Sequence, residues 1–92
     1  MSKTILYFTA SWCGPCQRIK PTLYKLEEEC PEIKVIAIDV DDDKGEFSKL
    51  PQKYKVSSLP TFVALHSEEE IERFEGADAS KLKKLFEKLH KL

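Results

Sequence analysis

The chain has 92 residues, 15 of them Lys or Arg and 16 Asp or Glu, for a net charge of −1; 41% are hydrophobic and 34% charged. That length holds one domain, residues 1–92, because a second core needs roughly 50 residues of its own. Near-balanced charge excludes broad electrostatic capture of nucleic acid or anionic lipid, periodic apolar residues exclude disorder, and no apolar run reaches the roughly 18 residues of a membrane span.

The first segment, Lys3–Thr9, carries four large apolar or aromatic residues in a row at positions 5–8. Such a run predicts a strand covered on both faces. It lacks the length and cleavage site of a secretion signal, which points to a cytoplasmic chain. After Ala10-Ser11-Trp12 comes Cys13-Gly14-Pro15-Cys16. A proline just inside a helix start is favourable, since its fixed φ suits the first turn and its missing N–H is not needed there. Apolar positions then recur at Cys16, Ile19, Leu23, Leu26 and Cys30, one helical stripe. Pro21 should bend this helix and Pro31 end it.

Residues 33–40 are mostly β-branched and predict a second strand, stopped by Asp41-Asp42-Asp43. A second helix is expected over residues 44–54, with Phe47, Leu50 and Tyr54 on one face and a kink or a division into two pieces at Pro51. Residues 61–65 and 70–74 read as two strands joined by the short connection His66-Ser67-Glu68-Glu69, short enough for a hairpin but without a glycine. Asp78 is a good N-cap for a final helix over residues 81–92, with Leu82, Leu85, Phe86, Leu89 and Leu92 on its apolar face. The order is β-α-β-α-β-β-α: a four-stranded mixed α/β sheet flanked by three helices. Its first two strands are parallel through a right-handed crossover.

Three cysteines are too few and too uneven for a disulfide scaffold. Cys13 and Cys16, after a buried strand and at a helix start, instead suit redox chemistry. Disulfide exchange needs a thiolate as attacker, and a helix N-terminus offers free N–H groups that stabilise one. Cys13 is then the exposed attacker, and Cys16, one turn on, the buried thiol that resolves the intermediate. A zinc site needs about four ligands, and the remaining candidates, Cys30, His66 and His90, read as scattered and unpaired. A purely structural disulfide would close a very short loop and constrain little of the unfolded chain.

At this point the sequence resembles the thioredoxin family, on four features in order across nearly the whole chain. Trp12-Cys13-Gly14-Pro15-Cys16 matches the active-site pentapeptide, and Pro21 the helix-bending proline. Leu59-Pro60-Thr61 matches the segment with a cis-proline that faces the cysteines, and Gly76-Ala77 the small-residue loop beside them. The resemblance implies a minimal thioredoxin fold, without the usual leading strand and helix, and a cis bond at Leu59-Pro60. It also implies that the Leu59 backbone pairs with an extended substrate segment. Trp12, Leu59, Pro60, Gly76 and Ala77 are expected to form an apolar platform around Cys13, with Gly14 and Pro15 completing the substrate-binding surface. Where the family commonly has a buried Asp, six residues before the first cysteine, this chain has Tyr7; Ala37 stands near the place of the family's lysine partner.

The implied activity is thiol–disulfide exchange on protein disulfides, with no bound cofactor or metal. Electrons would come from a thioredoxin-reductase-like protein or a small thiol, and a monomer is expected. One alternative is a glutaredoxin-like reductase of glutathione mixed disulfides, for which Asp78 after Gly76 is a faint sign and Trp12 and Gly14-Pro15 are counter-signs. The other is a non-catalytic binding module, against which the intact cysteine pair stands. Cys30 reads as a small core hydrophobe, the final helix as core packing, and the acidic runs 27–29, 41–43 and 68–70 as solvated surface.

Overall fold

In the computed structural model, which describes residues 2–92, the apolar run at positions 5–8 lies at the centre of the sheet. Strand β1 (Lys3–Thr9) pairs in parallel with β2 (Ile33–Asp39) and antiparallel with β3 (Thr61–His66). Strand β4 (Glu69–Glu75) adds antiparallel to β3, giving the order β2-β1-β3-β4. Successive side chains of a strand point to opposite faces. Ile5 and Tyr7 therefore join one core layer, and Leu6 and Phe8 the other. A strand covered on both faces has no polar face to show, which is why the pattern is unbroken.

The first layer is closed by helices α1 (Gly14–Arg18) and α2 (Lys20–Glu29) and by α4 (Ala79–His90). The expected bend is a break at Ile19, two residues before Pro21. Proline has no N–H for the carbonyl one turn back and its ring collides with it. One helix therefore ends and another begins, with Pro21 in the first turn of α2. The apolar stripe survives the break: Cys16, Ile19, Leu23 and Leu26 are buried and Cys30 packs against them. Asp78 caps α4 as expected, its carboxylate accepting the Lys81 N–H at 3.0 Å. The helix begins at Ala79 and ends at His90, so Leu92 lies beyond the apolar stripe and is 55% exposed, contrary to expectation.

The second layer is covered by residues around α3 (Leu50–Lys53), among them Phe47, Leu50, Tyr54 and Val56. The expected helix over 44–54 is cut to these four residues, with Pro51 in the first turn. The Asp42 carboxylate accepts the N–H groups of Lys44 and Gly45, each at 3.0 Å. An Asp side chain that captures backbone donors in this way competes with helix formation. A Cβ on Gly45 would collide with the same carboxylate. The aspartate run is thus partly a turn-former rather than only solvated surface.

The β3–β4 connection is tighter than the expected span of residues 66–69. Ser67 and Glu68 alone make the turn, with φ of 51° and 71°. Positive φ at both central residues matches the twist of the flanking strands, but for residues other than glycine or asparagine it costs about 1 kcal/mol each. Replacing the pair as Ser67→Asn with Glu68→Gly should raise stability by about 1 kcal/mol. The expected result is a higher urea midpoint at unchanged slope; an unchanged or lower midpoint would contradict this reading of the turn.

Candidate active site

Strand β1 ends at Thr9, and the next residues turn back over the sheet end. The Cys13 N–H donates to the Ala10 carbonyl at 3.1 Å, and the Gln17 side-chain amide donates to the same oxygen at 3.1 Å. Cys13 is the N-cap of α1, with extended backbone at φ −87° and ψ 105°. Its sulfur accepts the Cys16 N–H at 3.2 Å, in the place where Ser or Asp usually caps a helix. The two sulfurs are joined in a disulfide with Cα atoms 5.3 Å apart. Cys16 has no exposed surface and Cys13 keeps only 5%, so Cys13, expected to be exposed, is itself buried in the disulfide form.

Beneath Cys16 lies Tyr7. Its hydroxyl donates to the Cys16 carbonyl at 2.6 Å in a buried contact. Its ring stacks on Phe62 at 5.0 Å, and Phe62 stacks on Phe74 at 5.0 Å, a ladder that follows the register across β1, β3 and β4. Burial pushes the Tyr7 phenol above its ordinary value of 10.0, so the group is neutral at physiological pH. Ala37 is its partner in register on β2. The position where the family commonly holds a carboxylate is therefore a neutral donor committed to a backbone carbonyl.

Facing the cysteines, the Leu59–Pro60 bond is cis. The Thr61 hydroxyl donates to the Ser58 carbonyl at 2.6 Å, and the Gly76 N–H donates to the Pro60 carbonyl at 2.9 Å. Gly76 has φ of +102°, a region that L side chains rarely enter, which accounts for the glycine.

A groove of about 510 Å³ opens beside Cys13. Trp12, Gly14, Pro15 and Leu59 line it as expected. Pro60 is instead fully buried behind it, half-buried Gly76 is tied to Pro60 through the backbone, and Ala77 is exposed to solvent, so the expected platform is only partly realised. The other wall is Val40, Pro51, Val56, Ser57 and Ser58. Sequence reasoning missed these, because Val40 reads only as the end of a strand and Pro51 as a helix defect. Trp12 is 68% exposed, and its indole N–H donates to the Asp41 carboxylate at 2.6 Å. This contact ties the cysteine loop to the end of β2 and had no sequence signal.

Cys30 and His90, read as scattered, are in fact brought together. With Glu32 they place one ligand atom each within 4.8 Å of one another. The ends of α2 and α4 share one side of the sheet, and residues 58 positions apart in the chain, Glu32 and His90, meet there through a carboxylate–imidazole hydrogen bond. His66 is not in this group, and among the described residues no such group includes Cys13 or Cys16.

Comparison with known proteins adds to this geometry. The family model described as Thioredoxin matches residues 1–91. The chain belongs to the thioredoxin family. It is 39% identical to the H-type thioredoxin of Fagopyrum esculentum over 88 residues, 96% of this chain and 67% of that protein. It is 34% identical to the mitochondrial thioredoxin O1 of Arabidopsis thaliana over 96% of this chain and 44% of that one. The chain thus spans about half to two thirds of the length of these relatives. Among solved structures, Fasciola hepatica thioredoxin superposes with a TM-score of 0.85 at 34% identity, covering 95% of this chain and 80% of that one. A bonded cysteine pair at this position of a thioredoxin is the site of a thiol–disulfide oxidoreductase. The glutaredoxin alternative is not favoured, since the relatives and the structural neighbours are thioredoxins.

Tyr7→Phe removes the bond to the Cys16 carbonyl and should cost about 1–2 kcal/mol. The sign of the pH effect follows from the raised folded value. Below 10.0 the phenol is neutral in both states and its full contribution is present. Above that, the unfolded chain ionises first, so the contribution falls as pH climbs through the folded value. Chemical denaturation of both proteins across the alkaline range should show a shallower decline for the variant; parallel declines would contradict a buried, neutral Tyr7.

Proposed function

We propose that this thioredoxin reduces disulfides in proteins, with Cys13 as the attacking thiolate and Cys16 as the resolving thiol. The supporting observation is that Cys13 borders the groove while Cys16 is sealed behind it. The Cys13 thiolate attacks one sulfur of a substrate disulfide, and the other substrate sulfur leaves as a thiolate. Cys16, once deprotonated, attacks the Cys13 sulfur and displaces the second substrate sulfur. Two electrons pass to the substrate, and the Cys13–Cys16 bond seen here is formed. A phenol rather than a carboxylate at residue 7 leaves Cys16 without an ionised acid beneath it, so its proton passes to water or to the departing substrate thiolate.

Trp12, Gly14, Pro15 and Leu59 form the docking surface for an extended substrate segment. The Leu59 backbone bonds to no other backbone group among the described residues, which leaves it free to pair with substrate. Pro60, Gly76 and Ala77 act behind and beside it, by holding that backbone open. No cofactor is required. A thioredoxin-reductase-type protein, or else a small thiol, restores the dithiol. The protein works as a monomer in a reducing compartment, the cytoplasm. Among the described residues no helix is long and apolar enough to cross a membrane. Relatives named as mitochondrial are consistent with a second reducing compartment.

In a side-by-side assay the protein should reduce insulin disulfides faster than a glutathione mixed disulfide; the opposite order would support the glutaredoxin-like reading. Cys16→Ser should accumulate Cys13-linked mixed disulfides with protein substrates, visible on non-reducing gels and lost on adding dithiothreitol. Absence of any such adduct would overturn the assignment of roles.

A further inference from the structure

We propose that Cys30, Glu32 and His90 bind one divalent cation of the zinc type, at a site separate from the Cys13–Cys16 centre and independent of its activity. The three donors are a sulfur, a carboxylate oxygen and an imidazole nitrogen, all within 4.8 Å of one another. Four-coordinate zinc holds Cys, His and carboxylate ligands at about 2.0–2.3 Å, which puts ligand atoms roughly 3.3–3.6 Å apart. Glu32 and His90 are exposed and already touch each other, so seating an ion requires that this contact open and that the Cys30 sulfur join it.

The backbone already fixes the three positions. Cys30 caps α2, with its N–H on the Leu26 carbonyl at 2.9 Å, and its own carbonyl accepts the Ile33 N–H at 3.0 Å. That short turn sets Cys30 and Glu32 side by side. His90 is the last residue of α4, a helix anchored by buried Phe86 and Leu89. The Lys3 ammonium bonds the His90 carbonyl rather than its ring. A cavity of about 290 Å³ beside Cys30 and His90 is lined also by Glu29, Glu87 and Lys83, which gives a fourth ligand, water or carboxylate, room to enter.

The electrostatics fit a cation. The Glu29 and Glu87 carboxylates lining the adjoining cavity, together with Glu32, favour a divalent ion there, and its binding to Cys30 releases the thiol proton. The donor set selects the metal. Magnesium and calcium take all-oxygen shells, whereas thiolate with imidazole suits zinc and, as a probe, cobalt. The bound ion would clip the end of α2 to the end of α4 and keep the third thiol out of exchange chemistry.

The test uses full-length protein held oxidised at Cys13–Cys16, so that Cys30 is the free thiol. Titration with cobalt(II) should saturate at one equivalent and give a thiolate-to-cobalt charge-transfer band. Zinc should bleach that band and raise the Tm. Cys30→Ser should abolish the band. His90→Ala and Glu32→Gln, both at exposed positions, should weaken zinc binding by about tenfold or more, while His66→Asn leaves it unchanged. No charge-transfer band on the oxidised protein would overturn the proposal, as would zinc affinity unchanged in both His90→Ala and Cys30→Ser.

Discussion

The Cys16 N–H pointing at the Cys13 sulfur is the contact on which the rest depends. It makes Cys13 both the cap of a helix and the recipient of a donor that no other helical group can satisfy. Once the disulfide is reduced, that donor favours the ionised form of Cys13 over the neutral thiol. The neighbouring bonds hold this arrangement: two donors converge on the Ala10 carbonyl and fix the loop before Cys13. From below, the Tyr7 hydroxyl holds the Cys16 carbonyl. The same short turn sets Cys13 on the wall of the groove and Cys16 behind it.

Tyr7 shows how the sheet and the site share a residue. Its ring belongs to the aromatic ladder with Phe62 and Phe74, which locks β1, β3 and β4 in register, and its hydroxyl is a fixed point for the cysteine turn. A buried carboxylate at this place would face a desolvation cost and act as a proton acceptor. A phenol with a backbone partner removes the cost and gives up that role. Family membership therefore carries over the exchange chemistry without carrying over the way the resolving thiol loses its proton.

Much of the fold was legible because its signals are local. Residues 5–8 announce a two-sided strand, Asp78 a cap, and Pro21 a helix discontinuity, and each acts within a few residues of itself. The cysteine motif was legible for the same reason. The failures are contacts between distant segments or competition within a turn. Asp42 outbid the helical pattern over 44–54 by taking two backbone donors. Ser67 and Glu68 took a tight turn without glycine because the strand pairing of β3 and β4 imposes it. Trp12 with Asp41, the Val40–Val56 wall of the groove, and Cys30 with Glu32 and His90 join residues that no spacing rule connects.

The central claim is that Cys13 alone, among the reduced thiols, is ionised and reachable at neutral pH. The most direct measurement is the rate of iodoacetamide alkylation at each cysteine of the reduced protein as a function of pH, read by mass spectrometry of peptides. The account predicts fast labelling of Cys13 with a midpoint below the roughly 8.5 of an ordinary thiol, and slow labelling of Cys16. Equal, slow labelling of both, with midpoints at the ordinary value, would contradict it.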